Sequence, residues 1–566
     1  MRWPLKALLL LGGAGPVVAQ DQIPCRGQRI DTIIIEAHAP TVTGLRRVPI
    51  AGAVAKKTHV ITRGEVVRGF LLLKEGDRCS ETRRAESERV LRAQPFIADA
   101  TVDVVPGSRG GVNLEVRTID EASMIISGSV SNSAPNVRSA RFGNSNLAGL
   151  GITASLGWRH EPAFDDQVQV RFIDHQLFGQ PYVLDLASIK EPLVEIDRAQ
   201  LSLPFRTDFQ RVAWRMLIGE SRGHAQFVHR DTGRLALGFQ RQYGEIGGIL
   251  RVGPPGKLSL LGLSLSNERA WPDTGAVRVT EFGFRPDTGA QLAGRFRETR
   301  AARMNALIGV RSLRFARVTG FDALRGTQDM PLGLQLGTLV GQGISAFGSD
   351  AKDLFVASDL YVGFGSRRVV YRLQAQGEGR RSRETGAWDG LVGSGRFSRY
   401  ARLDAYRTRQ IAVEWSGTSK VLIPHSLSLA SNDGGIRGLS DPREFGGRRA
   451  IARVSEQYFI GTPFDFGDLG LTLFADAGQL WPGDIPYAQK TSLRGSVGAG
   501  LLFAIPMRST RMWRLEFAAP VNREPGGNRW EIRLRHSDLT SFFWREPADV
   551  GSARALAVPS SVYSWP

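Results

Sequence analysis

The feature that most constrains this chain is two-residue alternation sustained over several hundred residues. From about residue 122 onward, apolar side chains recur at every second position in segment after segment. Val168, Val170 and Phe172 alternate with Gln167, Gln169 and Arg171. Leu235, Leu237 and Phe239 alternate with Arg234, Ala236, Gly238 and Gln240. Leu469, Leu471, Leu473, Ala475 and Ala477 alternate with Gly470, Thr472, Phe474, Asp476 and Gly478. Residues two apart share one face of a strand, so each segment reads as a strand with one apolar and one polar face. Gly, Pro, Asp and Asn separate the segments, and Gly alone makes up 65 of 566 residues, above the usual ~7%.

Two folds accommodate such strands. In a soluble sandwich the apolar face turns to a core; in a membrane barrel it turns to lipid, and the polar face lines a wet lumen. Three features favour the barrel. Many runs have the ~9–11 residues that cross a bilayer when tilted. Short connections such as Phe205 to Arg211 alternate with long ones such as Trp271 to Ala302. The polar faces also carry charges, which a sandwich tolerates only on its outer surface. Roughly 16 to 19 runs can be counted, so counting does not fix the strand number.

The N-terminus speaks to compartment. Arg2 and Lys6 precede the apolar run Ala7 to Leu11, and Val17-Val18-Ala19 forms a small-residue cleavage site. Residues 1–19 thus read as a secretory signal peptide. Beyond residue 20 no apolar stretch approaches the ~18 residues of a spanning helix.

Residues 25–120 form a smaller mixed unit with the order strand, helix, helix, strand, strand. Ile33-Ile34-Ile35 is a β-branched run. Thr62 and Glu65 have the spacing of a capping box, and Ser80 has the form of a second N-cap. Ala100, Val102 and Val104 alternate, as do Val112, Leu114 and Val116. The chain's two cysteines, Cys25 and Cys79, both fall in this unit. An oxidising compartment permits a Cys25–Cys79 disulfide; the alternative is two separate buried thiols.

Several segments resemble the BamA–TamA outer-membrane superfamily. Residues 62–77 (TRGEVVRGFLLLKEGD) and 86–104 (ESERVLRAQPFIADATVDV) resemble a POTRA domain, the periplasmic module of that superfamily. Asn146 to Gly151 and Asp174 to Gly179 resemble its first two periplasmic hairpins. Gly435-Ile436-Arg437-Gly438-Leu439 resembles its V-R-G-F/Y loop, which folds back into the lumen, with Ile436 for Val and Leu439 for the aromatic. Phe474 to Gly478 and Ser496 to Leu501 resemble two of the last strands.

The resemblance implies a mainly β protein: a small α+β POTRA-like domain, then a 16-stranded transmembrane antiparallel β-barrel over residues 121–545. Five strands are to follow the loop, and five runs start near 448, 469, 493, 511 and 529. Residues 546–566 are then a C-terminal extension, which the superfamily usually lacks. The implied setting is the bacterial outer membrane, with the N-terminal domain in the periplasm. The implied function is insertion of proteins into that membrane or their translocation across it. The alternatives are a dedicated secretion pore or a passive channel. The implied partners are outer-membrane lipid, lipopolysaccharide, and unfolded or nascent clients. Clients are to engage an exposed POTRA strand edge by β-augmentation and the seam between the first and last barrel strands.

The residues singled out are those of the loop. A guanidinium held inside a barrel needs carboxylates, because an unpaired buried charge is costly. Alternation aims Asp476 into the lumen, so an Arg437–Asp476 pair is expected, with Gly438 beside it in the turn. Glu456 resembles the superfamily's second acidic partner. Its parity conflicts with that role, since it shares a face with Ala450, Ala452 and Val454. Either a bulge shifts the register or Gln457 takes its place. The alternative for Arg437 is a solvated loop arginine.

Enzyme chemistry finds no foothold. Gly253 to Lys257 lacks the first Gly and the final Ser/Thr of a phosphate loop. Gly341 to Ala346 has glycine spacing of a dinucleotide site, with no helix pattern after it. His224 and His229 are placed in a long loop without metal-ligand spacing. No enzyme activity, cofactor or metal is expected. The net charge of +18 is spread along the chain. Its local clusters, Arg380-Arg381-Ser382-Arg383 and Arg295, Arg297 and Arg300, either meet lipopolysaccharide phosphates or are solvated loops. Aromatic residues do not interleave with them, which argues against nucleic acid.

Overall fold

A computed structural model describes residues 23–40, 60–107, 110–131, 137–159, 167–190, 195–229, 233–280, 283–287, 292–350, 352–431, 434–440, 443–463, 467–523, 527–536 and 544–555. The expected signal peptide and residues 556–566 of the expected extension lie outside them.

The N-terminal domain runs β1 (Arg26–His38), α1 (Gly64–Arg68), β2 (Arg78–Ser80), α2 (Glu81–Arg92), β3 (Ile97–Pro106) and β4 (Val112–Asp120). Its sheet order is β2-β1-β4-β3, with β1 and β4 parallel. The alternating apolar residues of β3 and β4 meet Val67, Phe70, Leu91 and Phe96 in one core. Cys25 and Cys79 are joined in a disulfide at its edge. The short strand β2 is an addition to the expected order. Thr62 does not cap α1. Its hydroxyl donates to Asp120 Oδ1 at 2.8 Å and accepts from Asn146 Nδ2 at 2.8 Å, so it is engaged away from the N–H groups of α1. Ser80 takes the N-cap position of α2 with extended backbone but makes no side-chain cap bond.

The alternating region closes on itself. Its strands are β5 (Met124–Ser131), β6 (Val137–Asn144), β7 (Ile152–Arg159), β8 (Gln167–Asp174), β9 (Val183–Lys190) and β10 (Glu195–Leu203). Then come β11 (Val212–His229), β12 (Gly233–Val252) and β13 (Leu258–Thr280), with β14 (Gly283–Asp287) folded back on the far end of β13. The ring continues through β15 (Thr299–Thr319), β16 (Thr327–Gly343), β17 (Asp353–Gly365), β18 (Val369–Ser382), β19 (Trp388–Arg402) and β20 (Arg407–Ser419). A small ribbon, β21 (Leu427–Ser428) and β22 (Phe445–Gly446), interrupts it. It ends with β23 (Arg448–Gly461), β24 (Asp468–Trp481), β25 (Arg494–Ala504), β26 (Trp513–Asn522) and β27 (Glu531–His536), and β27 pairs with β5. A helical turn, α3 (Ala548–Ala553), follows.

Because β13 pairs directly with β15 as well as with β14, the ring has 20 strands, not 16. Five follow the loop, as expected, so the four additional strands all precede it. Barrel diameter grows roughly linearly with strand number, so this ring is about a quarter wider than one of 16 strands. Two expected loops are strand instead. The segment from Trp271 to Ala302 includes the end of β13 and the start of β15, and His224 and His229 lie on β11. Pro272, Asp273 and Gly275 look like turn residues; residues 273–275 bulge out of the pairing with β12, which resumes on either side at Pro272 and Ala276.

The faces are sorted as a lipid-facing barrel requires. Ile218, Ile246, Leu261, Leu263, Leu265 and Ile308 stand exposed on the outside. Soluble monomers rarely present so continuous an apolar band. Inside, charged residues are buried in pairs: Arg215 with Glu245, Arg241 with Glu268, and Arg303 with Asp353. Among the described residues no helix is long and apolar enough to cross a membrane, which says nothing of the strands.

Candidate functional site: the lumen loop

The connection between β20 and β23 folds back into the barrel. Its ribbon β21–β22 turns it inward, and Leu427, Leu429, Ile436 and Leu439 pack there against Ile451 and Leu480 of the wall. Ile436 and Leu439, the two departures from the V-R-G-F/Y pattern, are thus core residues of the loop.

Between them Arg437 meets the wall. Its Nε and Nη2 donate to Asp476 Oδ2 and Oδ1 at 2.8 and 2.7 Å, and its backbone N–H donates to Oδ2 at 3.2 Å. A bidentate pair of this kind fixes orientation as well as distance. The guanidinium also lies 3.7 Å over the Phe474 ring, a cation–π contact. Phe474 can lie flat because residue 498 is Gly: a Cβ there would stand 2.3 Å from the ring. Gly438 has φ +93°, a conformation that favours glycine.

Glu456 does not join this cluster. The β23–β24 register is continuous from Arg448 through Phe459, with its only irregularity between Phe459 and Gly461. No bulge therefore rescues the parity, and Glu456 points outward. It accepts from Arg407 Nη2 at 2.9 Å, Arg409 Nε at 2.5 Å and Tyr458 Oη at 2.6 Å. Gln457 faces the lumen, with its amide beside Arg514. The second carboxylate is Glu516 of β26, whose Oε1 accepts from Arg437 Nη1 at 3.3 Å.

Three further wall residues hold the loop. Glu531 Oε2 accepts the Gly438 N–H at 3.1 Å, and Asn528 accepts the Ser440 N–H at 3.1 Å while donating to Gly438 O. Arg453 bridges Asp476 (3.0 Å) and Glu414 (3.2 Å) and donates to the carbonyls of Gly434 and Gly435, both at 2.8 Å. Glu516 and Glu531 were legible by parity, since each sits between outward apolar neighbours: Leu515 and Phe517, Trp530 and Ile532. The loop is thus tied to β24, β26 and β27, and β27 is the strand that closes the ring.

The N-terminal domain docks on one arc of the barrel mouth. The turns at 145–151 and 175–180 receive it. Asn146 Nδ2 donates to Thr62 at 2.8 Å, Gly149 O accepts from Arg63 at 3.0 Å, and Gln176 Nε2 donates to Val66 O at 3.0 Å. Gly149 is required, because a Cβ there would stand 2.3 Å from Ile61 O. Helix α2 adds Arg92 to Asp329 and Glu88 to Arg317. At the linker, Ser509 Oγ donates to Glu121 at 2.7 Å, and burial pushes the Glu121 carboxyl up to about 7 against the pull of Arg511. In the turn before β9, burial and Arg206 push the His175 imidazole down to about 3.

The expected client-accepting edge is covered on one side. The outward groups of β3 are taken by α2: Val102 N–H donates to Glu88, and Val102 O and Ala100 O accept from Arg84 and Arg92. On β1, Arg68 and Glu75 bond the outer side at Ile33, and beyond Ile33 no strand pairs with that side among the described residues.

The basic clusters are largely spoken for. Arg295 meets Asp484, Arg300 meets Glu298, Arg383 meets Gln342, and Arg380 is half-buried. Among the described residues no group of three or more His, Cys, Asp and Glu stands together as a metal site.

Residues 423–536 match the Omp85 superfamily domain, a span that holds the loop, Asp476, Glu516, Glu531 and all five strands after the loop. This agrees with the resemblance seen in the sequence. Among solved structures the chain is similar to BamA from Haemophilus ducreyi lacking POTRA domains 1–3, at 12% identity over 90% of this chain and 84% of that one, TM-score 0.38. It is also similar to CdiB from Escherichia coli, at 11% identity over 90% and 76%, TM-score 0.43. No curated protein matches the chain.

Proposed function

We propose that this is an outer-membrane barrel of the Omp85 type that assists insertion of proteins into that membrane, with its N-terminal domain, POTRA-like, in the periplasm. The observation that carries this reading is the closure of the ring. Among the described residues β27 and β5 pair over four residue pairs, from Glu531 with Ser131 to Leu534 with Gly128. On the opposite side all 18 residues of β11 are paired with β12. Opening a ring costs its unpaired backbone groups, so it opens where those are fewest. The Arg437 loop anchors to β27 itself and so holds one lip of that seam. A client strand entering there pairs its backbone with the freed edges. The reading calls for no catalytic residue. The width of the ring favours a second reading, passage of one dedicated substrate through the lumen.

Quantitative outer-membrane proteomics after depletion of the protein tests both. Loss of many unrelated barrels is the result expected of an insertase. Loss of one or a few proteins favours the dedicated pore, and an unchanged outer membrane contradicts both.

A further inference from the structure

The chain does not stop at its last strand. Residues 544–555 re-enter the lumen and cross it. At one side Val550 and Ala553 pack into the core formed by the loop residues Leu427, Leu429, Ile436 and Leu439. At the other, Ala555 joins a buried cluster on the far wall that includes Leu307 of β15, Leu339 of β16 and Phe355 of β17. The segment therefore spans from the loop to the opposite wall.

Polar contacts fix it at both ends. Asp549 takes a bidentate pair from Arg449 of β23, at 2.6 and 3.0 Å. Arg241 of β12 donates to the carbonyls of Ser552 and Arg554, at 2.6 and 2.5 Å. Glu378 of β18 accepts the Ala555 N–H at 2.9 Å, and Trp544 N–H donates to Gln374 at 2.8 Å. Within the segment Arg554 pairs with Glu546 at 2.6 Å, and Ser394 of β19 donates to Glu546. Pro547 lies against Gly434, where a Cβ would stand 2.7 Å from the proline ring.

None of this is strand pairing. The segment belongs to no sheet, so it can leave without breaking one ladder bond of the ring. It also occupies space that a narrower barrel would not have. The loop fastens to β24, β26 and β27, and the wider ring leaves room between it and the long strands.

We propose that residues 544–555 are an intrinsic plug: a removable segment that closes the lumen together with the Arg437 loop. The site that holds it is the ring of Arg241, Glu378, Ser394 and Arg449, which takes a short peptide with a carboxylate at its leading turn. Departure of the segment opens a continuous path beside the loop. This inference rests on the barrel alone, and it stands or falls independently of which proteins the barrel serves.

The test is ion conductance in planar lipid bilayers, with closure of the ring checked by heat-modifiable gel migration. The full chain is expected to conduct little. A chain ending at residue 543 is expected to conduct several-fold more, and Asp549→Arg, which sets like charge against Arg449, is expected to flicker between the two levels. Equal conductance of the full chain and both variants overturns the plug. A third variant covers failure of those two to fold. In the otherwise intact chain, Ala553→Cys is expected to react slowly with a bulky maleimide, because Ala553 is buried and both native cysteines are in a disulfide. Rapid reaction shows the segment outside the lumen and overturns the proposal.

Discussion

Two walls of one barrel differ more than any other parts of the molecule. Strands β11, β12, β13, β15 and β16 have 18, 20, 23, 21 and 17 residues. Among the described residues strands β5 to β9 have 8 each, and β27 has 6. At ~3.4 Å per residue and a tilt of ~40°, a 20-residue strand rises roughly 50 Å and an 8-residue strand roughly 20 Å. The apolar band of such barrels is ~25 Å tall. The long wall overshoots the membrane, whereas the described part of the short wall is close to the band itself in height. The same alternation builds both, so the difference lies in length and pairing. On the proposed function the long wall is a scaffold, and the short wall, with its described seam of four pairs, is the part that yields. The N-terminal domain bears on the turns beneath the short wall and, through α2, on Arg317 and Asp329 of the long wall, while the loop is fastened to the seam's last strand.

That contrast can be sharpened first by removing the loop's anchor. Asp476→Ala leaves Arg437 and Arg453 without their shared carboxylate inside the barrel. Losing one partner of a buried pair costs about 3–5 kcal/mol. Denaturant titration in micelles is expected to show that loss, and hydrogen exchange to show it concentrated in β24 to β27. Equal acceleration in β11 to β13 would break the contrast.

A smaller effect is expected from pH at the foot of the short wall. The Glu121 carboxyl is raised from 4.5 to about 7 in the fold. A raised carboxyl binds its proton more tightly folded than unfolded, so its stabilisation is present below pH 4.5 and is lost as pH rises through about 7. Exchange at β5, corrected for intrinsic rates, is expected to be faster at pH 8 than at pH 6. Glu121→Gln is expected to remove that dependence. The smallest effect belongs to Glu456→Gln. Its cluster with Arg407 and Arg409 lies on the outer surface, where an ion pair is worth about 1 kcal/mol or less, and loop anchoring is expected to be unaffected.

The outcome at Glu456 shows what the sequence could carry. Alternation alone aimed Asp476 inward and Glu456 outward, and both point that way. The resemblance pulled Glu456 inward, and a local physical rule outweighed it. The five strands after the loop were legible because each is short, regular and bounded by turns. The four additional strands were not. In β13 the residues Pro272, Asp273, Thr274 and Gly275 carry turn chemistry inside a strand, and only the pairing with β12 on both sides of the bulge they form continues the strand. The lumen segment was illegible for another reason. It is too short to show a period, and what holds it are long-range partners, Arg241 and Arg449, that sequence distance does not reveal.

The most direct test of the account is a reversible lock on the seam. Val130 and Ile532 are directly opposed across it, so Val130→Cys with Ile532→Cys places two thiols in reach of a disulfide. A control pair across the long wall, Ile218→Cys with Gly244→Cys, is equally opposed. Cells relying on either variant are grown under oxidising and then reducing conditions, and newly inserted outer-membrane proteins are counted. The expected result is that the seam lock halts insertion until it is reduced, while the wall lock does not. Insertion at an undiminished rate through a fully cross-linked seam would contradict the account.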